Sequence, residues 1–448
     1  MEKKAFYGQL RKLVIPIAFQ QFMLAAVSAS DAVMLGLLSQ ESMAAVSLAS
    51  QVQFVFSLYL ATITIGTSMF TAQYWGRKDR KTVEKILAMA LVFTLPVAAA
   101  FSLAAAAVPA WIMRIFTPDP GLIAYGADYL RTVSFSYLLC GISQVYLCVM
   151  KNCGRAPVSS MISSVSVLLN IGANAVLIFG LFGLPEMGIA GAAAATVLAR
   201  LVELVWAWWD SVPKDRIKLH MKYLRPEKML CRDFLKYVTP VLGNEIVWGV
   251  GLTMGSVVMG HLGSDAVAAN SIATIAKNLL ICFCIGIGSG GAVLVGNELG
   301  AGNLERARAY ADRITRLSVV FGVITGAVLL LIGPVILRLV DLTDQAKEYL
   351  RWMLVICSYY CIGKSVNSTT IGGIFCAGGD SRFGFLCDAV TLWGITVPLG
   401  LCAAFIWKLP VIAVYFILNL DEIIKLPAVY RHYKKYKWVK NITREESL

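Results

Sequence analysis

The chain has 448 residues, of which 58% are apolar and 15% charged, and its mean hydropathy is +0.70. About a quarter of an ordinary soluble chain is charged, so this composition excludes a soluble globular protein and points to a membrane. The net charge of +13 would suit a polyanion such as nucleic acid, a reading that the positions of the charges exclude.

Windows of about 20 apolar residues, the length that crosses roughly 30 Å of hydrocarbon, predict an all-α membrane protein with twelve transmembrane helices. The expected spans are 13–37, 48–74, 86–110, 132–150, 158–180, 187–209, 237–260, 272–298, 317–337, 352–376, 384–406 and 409–430. The first follows Met-Glu-Lys-Lys in the manner of a signal peptide, but it is too long and lacks a small-residue cleavage site, so it reads as helix one. Lys12–Gly76 returns without a gap as Lys236–Gly300, 224 positions later, with Val14/Val238, Pro16/Pro240, Gly36/Gly260, Gly66/Gly290 and Gly76/Gly300 among the identities. A half of six spans has therefore been duplicated. An even number of spans brings both copies into the membrane from one side, which makes the repeat parallel, and in transporters so built the ligand site lies between the repeats at mid-membrane. The expected organisation is an N-terminal six-helix bundle (1–209), a linker (210–233), a C-terminal six-helix bundle (234–430) and a basic tail (431–448).

Of the 40 Lys and Arg, 30 fall in the N-terminus, the even-numbered loops and the tail, including Arg77, Lys78, Arg80, Lys81 and the run from Lys214 to Lys236. Six fall in the odd-numbered loops and four inside spans. Basic charge on one side sets orientation, so both termini are expected in the cytoplasm, with anionic membrane lipids as further partners and nucleic acid excluded. The eleven cysteines are scattered, mostly in spans, and the three His are far apart, so neither a disulfide framework nor a structural metal site is expected. Trp75, Trp111, Trp206, Trp208, Trp209 and Trp407 stand near span ends as interface anchors. Trp248 and Trp393 lie deeper, in the core or against a flat or cationic ligand. Gly76 and Gly300 close equivalent helices and suit the left-handed C-cap position; Pro16 and Pro240 are equivalent bends.

A charged group at membrane depth costs a few kcal/mol unless it is protonated, paired or wetted. Asp31 is the deepest acid in the first half. In the second half Glu245 and Lys364 either neutralise each other or contact substrate, and Lys277 occupies the repeat position of Gln53, a polar face kept in both bundles. Arg200, Glu203, Asp388, Asp421 and Glu422 lie closer to span ends, where they are expected to be solvated or to snorkel.

Several segments together resemble the multidrug and toxic compound extrusion (MATE) family, in its bacterial branch. They are Pro16 with Ser30-Asp31-Ala32-Val33-Met34-Leu35-Gly36, Asn170-Ile171-Gly172-Ala173-Asn174, Met187 through Thr196, Pro240-Val241-Leu242-Gly243-Asn244-Glu245, Gly296 through Gly302 and Ala377-Gly378-Gly379-Asp380. The resemblance covers residues 10–430. It implies a multi-pass protein of the bacterial inner membrane, working as a monomer, that exports amphipathic or cationic small molecules against an inward flow of protons or sodium ions, with no other cofactor. The family's N-terminal ion site falls on Asp31, Asn170, Asn174 and Thr196, with an amide where the family has its second carboxylate. One carboxylate disfavours a bare sodium ion and leaves protonation of Asp31 as the simpler coupling event; the alternative is a structural hydrogen bond from Asp31 to Asn170 or Thr196. The family's second acidic position in helix ten falls on Ser365, so a C-terminal ion site is not carried over, and Glu245, Trp248, Lys277, Lys364 and Gln53 are candidates for lining the substrate cavity. Two other transporters compete: a flippase of lipid-linked saccharides, which wants a more cationic cavity, and a major facilitator, whose basic loop after helix two orders its residues differently. No nucleophile with a base and no phosphate loop supports an enzyme.

Overall fold

The computed structural model describes residues 2–213, 215–340 and 342–443. Lys214, which opens the basic linker run, and residues 444–448 of the basic tail lie outside the described residues. The described chain is helical and contains no strand. In the first half the helices are α1 Glu2–Leu38, α2 Gln40–Gly76, α3 Arg80–Ala107, α4 Pro109–Phe116, α5 Pro120–Val133, α6 Ser136–Met150, α7 Ala156–Phe179 and α8 Gly188–Ser211. In the second half they are α9 Lys228–His261, α10 Ser264–Gly300, α11 Leu304–Leu339, α12 Asp344–Asn367, α13 Ser381–Asp388, α14 Val397–Leu401, α15 Val411–Leu418 and α16 Asp421–Lys434.

Nine stretches among the described residues are long and apolar enough to cross a membrane. One of them, Ser136–Phe179, holds two passes, because the chain turns at Gly154 (φ +81°) between α6 and α7. With α12 and the α15–α16 pair this makes twelve passes, six in each half. The last departs from the expected continuous span: α15 and α16 are separated at Asn419 and Leu420.

The duplication is written in the helix starts. Gln40 and Ser264, Arg80 and Leu304, Pro120 and Asp344 each open equivalent helices 224 positions apart. The copies differ in continuity. The first breaks at Val108 and restarts with Pro109 at the first helical position, where its missing N–H costs nothing, whereas α11 runs on through Pro334. Val133 and Ser136 likewise bound a break between α5 and α6, while α12 continues through a π-helical segment, Ser368–Phe375. Some of the starts carry side-chain caps: Asp79 accepts from Thr82 N at 3.0 Å, and Thr343 accepts from Ala346 N at 3.2 Å.

The chain divides into two compact units, one of residues 1–22, 72–78 and 233–448 and the other of residues 23–71 and 79–232. In the first unit, Gly76 and Gly300 correct the expectation of left-handed C-caps. Neither has a positive φ; that conformation falls two residues later, on Lys78 (φ +65°) and Gly302 (φ +81°). The glycines instead let two helix ends touch backbone to backbone. A Cβ on Gly76 would lie 2.0 Å from Asn297 O, and one on Gly300 1.8 Å from Gln73 O. Gln73 completes the junction by donating from Nε2 to Ala377 O (2.7 Å) and Lys440 O (3.1 Å), while its Oε1 accepts from Ile442 N (2.8 Å).

Candidate ion-coupling site

In the second compact unit, Asp31 is carried by α1, Asn170 and Asn174 by α7 and Thr196 by α8. Asn170 and Asn174 are one turn apart and so share a helical face. The four are joined in series. Asn174 Nδ2 donates to Asp31 Oδ1 at 2.5 Å and to Asn170 Oδ1 at 3.4 Å; Asn170 Nδ2 donates to Thr196 Oγ1 at 3.4 Å; and Thr196 Oγ1 donates to Ala192 O at 3.0 Å. Asp31 therefore bonds to Asn174, rather than to the Asn170 or Thr196 of the structural alternative. The shortest bond of the series is the one to the carboxyl oxygen of Asp31.

Two features set the site apart. Among the described residues no Lys, Arg or His lies within ion-pair distance of Asp31. Asn174 is 1% exposed and its Oδ1 has no partner among the described residues, although buried polar atoms are nearly always satisfied. Both N–H groups of Asn174 are already committed, so the site presents an unused oxygen beside a lone carboxylate. Apolar Leu35, Val46, Ile178, Ile189 and Ala192 form a buried cluster alongside, with Met34, Leu38 and Tyr129 packed against it.

The expected residues of the second half do not converge in the same way. Lys364 pairs with Glu422 (3.3 Å) instead of Glu245, and it lies 5.2 Å from the ring centre of Trp248. Glu245 has no ion-pair partner among the described residues. Lys277 lies over Tyr360, 4.5 Å from its centre. Gln53 is half-buried on α2 in the other unit. Ser365 is fully buried and donates to Ser318 O at 2.7 Å. Trp393 is 37% exposed and donates to Val247 O at 3.1 Å.

The acids expected at solvated span ends are buried. Asp388, Asp421 and Glu422 are 6%, 5% and 1% exposed. They meet on Lys425 at 2.8, 3.3 and 3.3 Å respectively. Asn367 Nδ2 donates to Glu422 Oε2 at 2.8 Å and to Glu422 O at 2.7 Å, and Asn244, with its amide turned to match its neighbours, donates to Asp388 Oδ2 at 2.9 Å. Glu203 is likewise buried, held by Arg200 (2.8 Å), Ser143 (2.8 Å) and Gln144 (2.7 Å). Each acid is tolerated because a cation or amide reaches it from within its own unit. The Asp421-Glu422-x-x-Lys425 spacing, acids three and four residues before a lysine, was the available sequence signal; Asp388 had none, lying on a different helix.

The MatE family model matches the chain twice, over residues 16–176 and 240–402, one match in each half of the duplication. A probable multidrug resistance protein NorM of Thermotoga maritima is 23% identical over 440 residues, covering 98% of this chain and 94% of the relative. Multidrug resistance protein NorM of Burkholderia vietnamiensis is 26% identical over 413 residues, covering 88% of this chain and 86% of the relative. Among solved structures, a transporter of the MOP superfamily from Pyrococcus furiosus superposes with a TM-score of 0.87 at 17% identity over 95% of both chains. An outward-facing multidrug resistance MATE family transporter gives 0.85 at 18% identity over 96% of both. The fold, the doubled match and these relatives agree: the chain is a multi-pass membrane protein and belongs to the MatE family of multidrug efflux transporters.

Proposed function

We propose that this protein is a secondary active exporter of amphipathic and cationic small molecules, driven by inward proton flow through Asp31. The observation that carries the reading is a carboxylate on a membrane-crossing helix whose one close partner is the amide of Asn174 (2.5 Å), with no countercharge among the described residues. Such a group is held most cheaply either neutral or wetted, and alternating access exposes it to one side at a time. A proton taken from outside weakens the Asn174 bond, and its release inside restores it. The relatives' names, multidrug resistance proteins, support drugs as the cargo, and the amphipathic and cationic character is what the family resemblance implies. Glu245, unpaired among the described residues, is the candidate countercharge for a cationic cargo, with Trp248, Lys364, Lys277 and Gln53 as further contacts. The protein works as a monomer in a bacterial cell membrane, with both termini in the cytoplasm by the distribution of its basic residues, and moves its cargo without altering it covalently.

Sodium is a second reading, favoured by the unpartnered Asn174 Oδ1, since an amide oxygen, a carboxylate and the Thr196 hydroxyl form an oxygen set that suits a hard cation. Proteoliposomes loaded with ethidium decide between them when proton and sodium gradients are imposed separately. Efflux under the proton gradient alone supports the first reading, efflux under the sodium gradient alone supports the second, and efflux under neither overturns both.

A further inference from the structure

We infer that a cleft between the N-terminal part of α1 and the third to fifth turns of α11 binds the headgroup phosphate of an anionic phospholipid. The cleft encloses about 220 Å³ and is lined by Tyr7, Arg313, Arg316, Leu317 and Val320, all in one compact unit. The two helices are pinned together beside it by Phe6, which packs on Tyr310 with ring centres 4.6 Å apart and lies 5.4 Å beneath the Arg313 guanidinium.

The charge there is unspent. Neither Arg313 nor Arg316 has a carboxylate within ion-pair distance among the described residues, and the neighbouring acid, Asp312, is engaged by the Tyr433 hydroxyl at 2.6 Å. Two guanidiniums and a phenol O–H are donors matched to the oxygens of a phosphodiester, which guanidinium binds in its planar fork. The floor distinguishes a lipid from a free phosphate. Leu317 and Val320 lead into apolar side chains left open along the same helices, Val323 and Ile324 on α11 and Ile15 and Phe19 on α1, each about half exposed. On membrane-crossing helices such a stripe faces acyl chains, so one molecule can place its phosphate on the arginines and its tails along the stripe. This end of both helices carries the basic excess of the chain, and basic pockets between transmembrane helices on that side suit anionic headgroups.

Native mass spectrometry of the full chain in detergent, titrated with phosphatidylglycerol or phosphatidylcholine, tests the site. The unaltered protein is expected to retain phosphatidylglycerol in preference to phosphatidylcholine. The R313Q/R316Q variant is expected to bind it roughly 30-fold more weakly, while R114Q/R351Q, which removes two exposed arginines elsewhere, is expected to bind as before. V320W keeps both arginines and fills the floor; it too is expected to lose the lipid, and it serves as the test if the double variant does not fold. Equal retention of the two lipids by the unaltered protein, or undiminished retention by R313Q/R316Q or by V320W, overturns the site. Competition by glycerophosphoglycerol, which has the headgroup without tails, at concentrations equal to the lipid assigns the cleft to a soluble phosphate compound and also overturns the inference.

Discussion

Asp31 and the acids around Lys425 are both carboxylates on membrane-crossing helices, yet they are kept in opposite ways. Asp388, Asp421 and Glu422 converge on Lys425, with Lys364 as a second cation on Glu422. Asp31 has an amide and no cation among the described residues. A compensated cluster holds its protons and its geometry together, because moving one charge uncovers another. A lone carboxylate can change charge with little disturbance to its neighbours. The contrast teaches that depth in the membrane does not decide how an acid is held: the Lys425 acids are compensated, while Asp31 and Glu245 have no countercharge among the described residues.

The comparison breaks first at Asp31. Asp31→Asn is expected to reduce gradient-driven ethidium efflux to that of empty vesicles while leaving the detergent-solubilised protein monodisperse and helical; residual efflux that still follows the gradient would place coupling elsewhere. Next in size, Lys425→Met leaves three buried carboxylates without their shared cation and is expected to cost about 3–5 kcal/mol, measured by unfolding in micelles. If the variant is as stable as the parent but no longer coupled, the cluster carries the ion and the contrast is reversed. Gly300→Ala drives a methyl into the Gln73 carbonyl and is expected to cost about 1–3 kcal/mol by the same measurement, without changing how efflux depends on the gradient. The subtlest effect is expected from Asn174→Asp. A second carboxylate beside the first favours a bound cation, so efflux gains a dependence on an imposed sodium gradient, and an unchanged ion dependence would show that the amide does not select the ion.

Much of the fold was legible because it depends on local composition. The twelve passes follow from apolar length, and the duplication from identities that reappear as helices opening at Gln40 and Ser264, Arg80 and Leu304, and Pro120 and Asp344. The breaks were not legible. Pro109 starts a new helix and Pro334 is carried inside one, so proline alone does not decide where a helix breaks. The glycines were seen but given the wrong task, since Gly76 and Gly300 are required by a neighbouring backbone that no window of sequence contains. Asp31 was marked by its depth and, with Asn170, Asn174 and Thr196, by the family resemblance; spacing could not join them, as Asp31 and Asn174 are 143 positions apart.

By itself, the amino-acid sequence determined which segments enter the lipid, how many there are, which loops hold the basic charge and that one half copies the other, because each of these is a sum over neighbouring residues. Which acids are neutralised, and which, like Asp31 and Glu245, are left without a countercharge among the described residues, was decided only by tertiary structure. Compensation acts over a few ångströms between helices far apart in the chain, and in a medium of low polarity the presence or absence of a cation at that distance decides whether a carboxylate is compensated or stands alone.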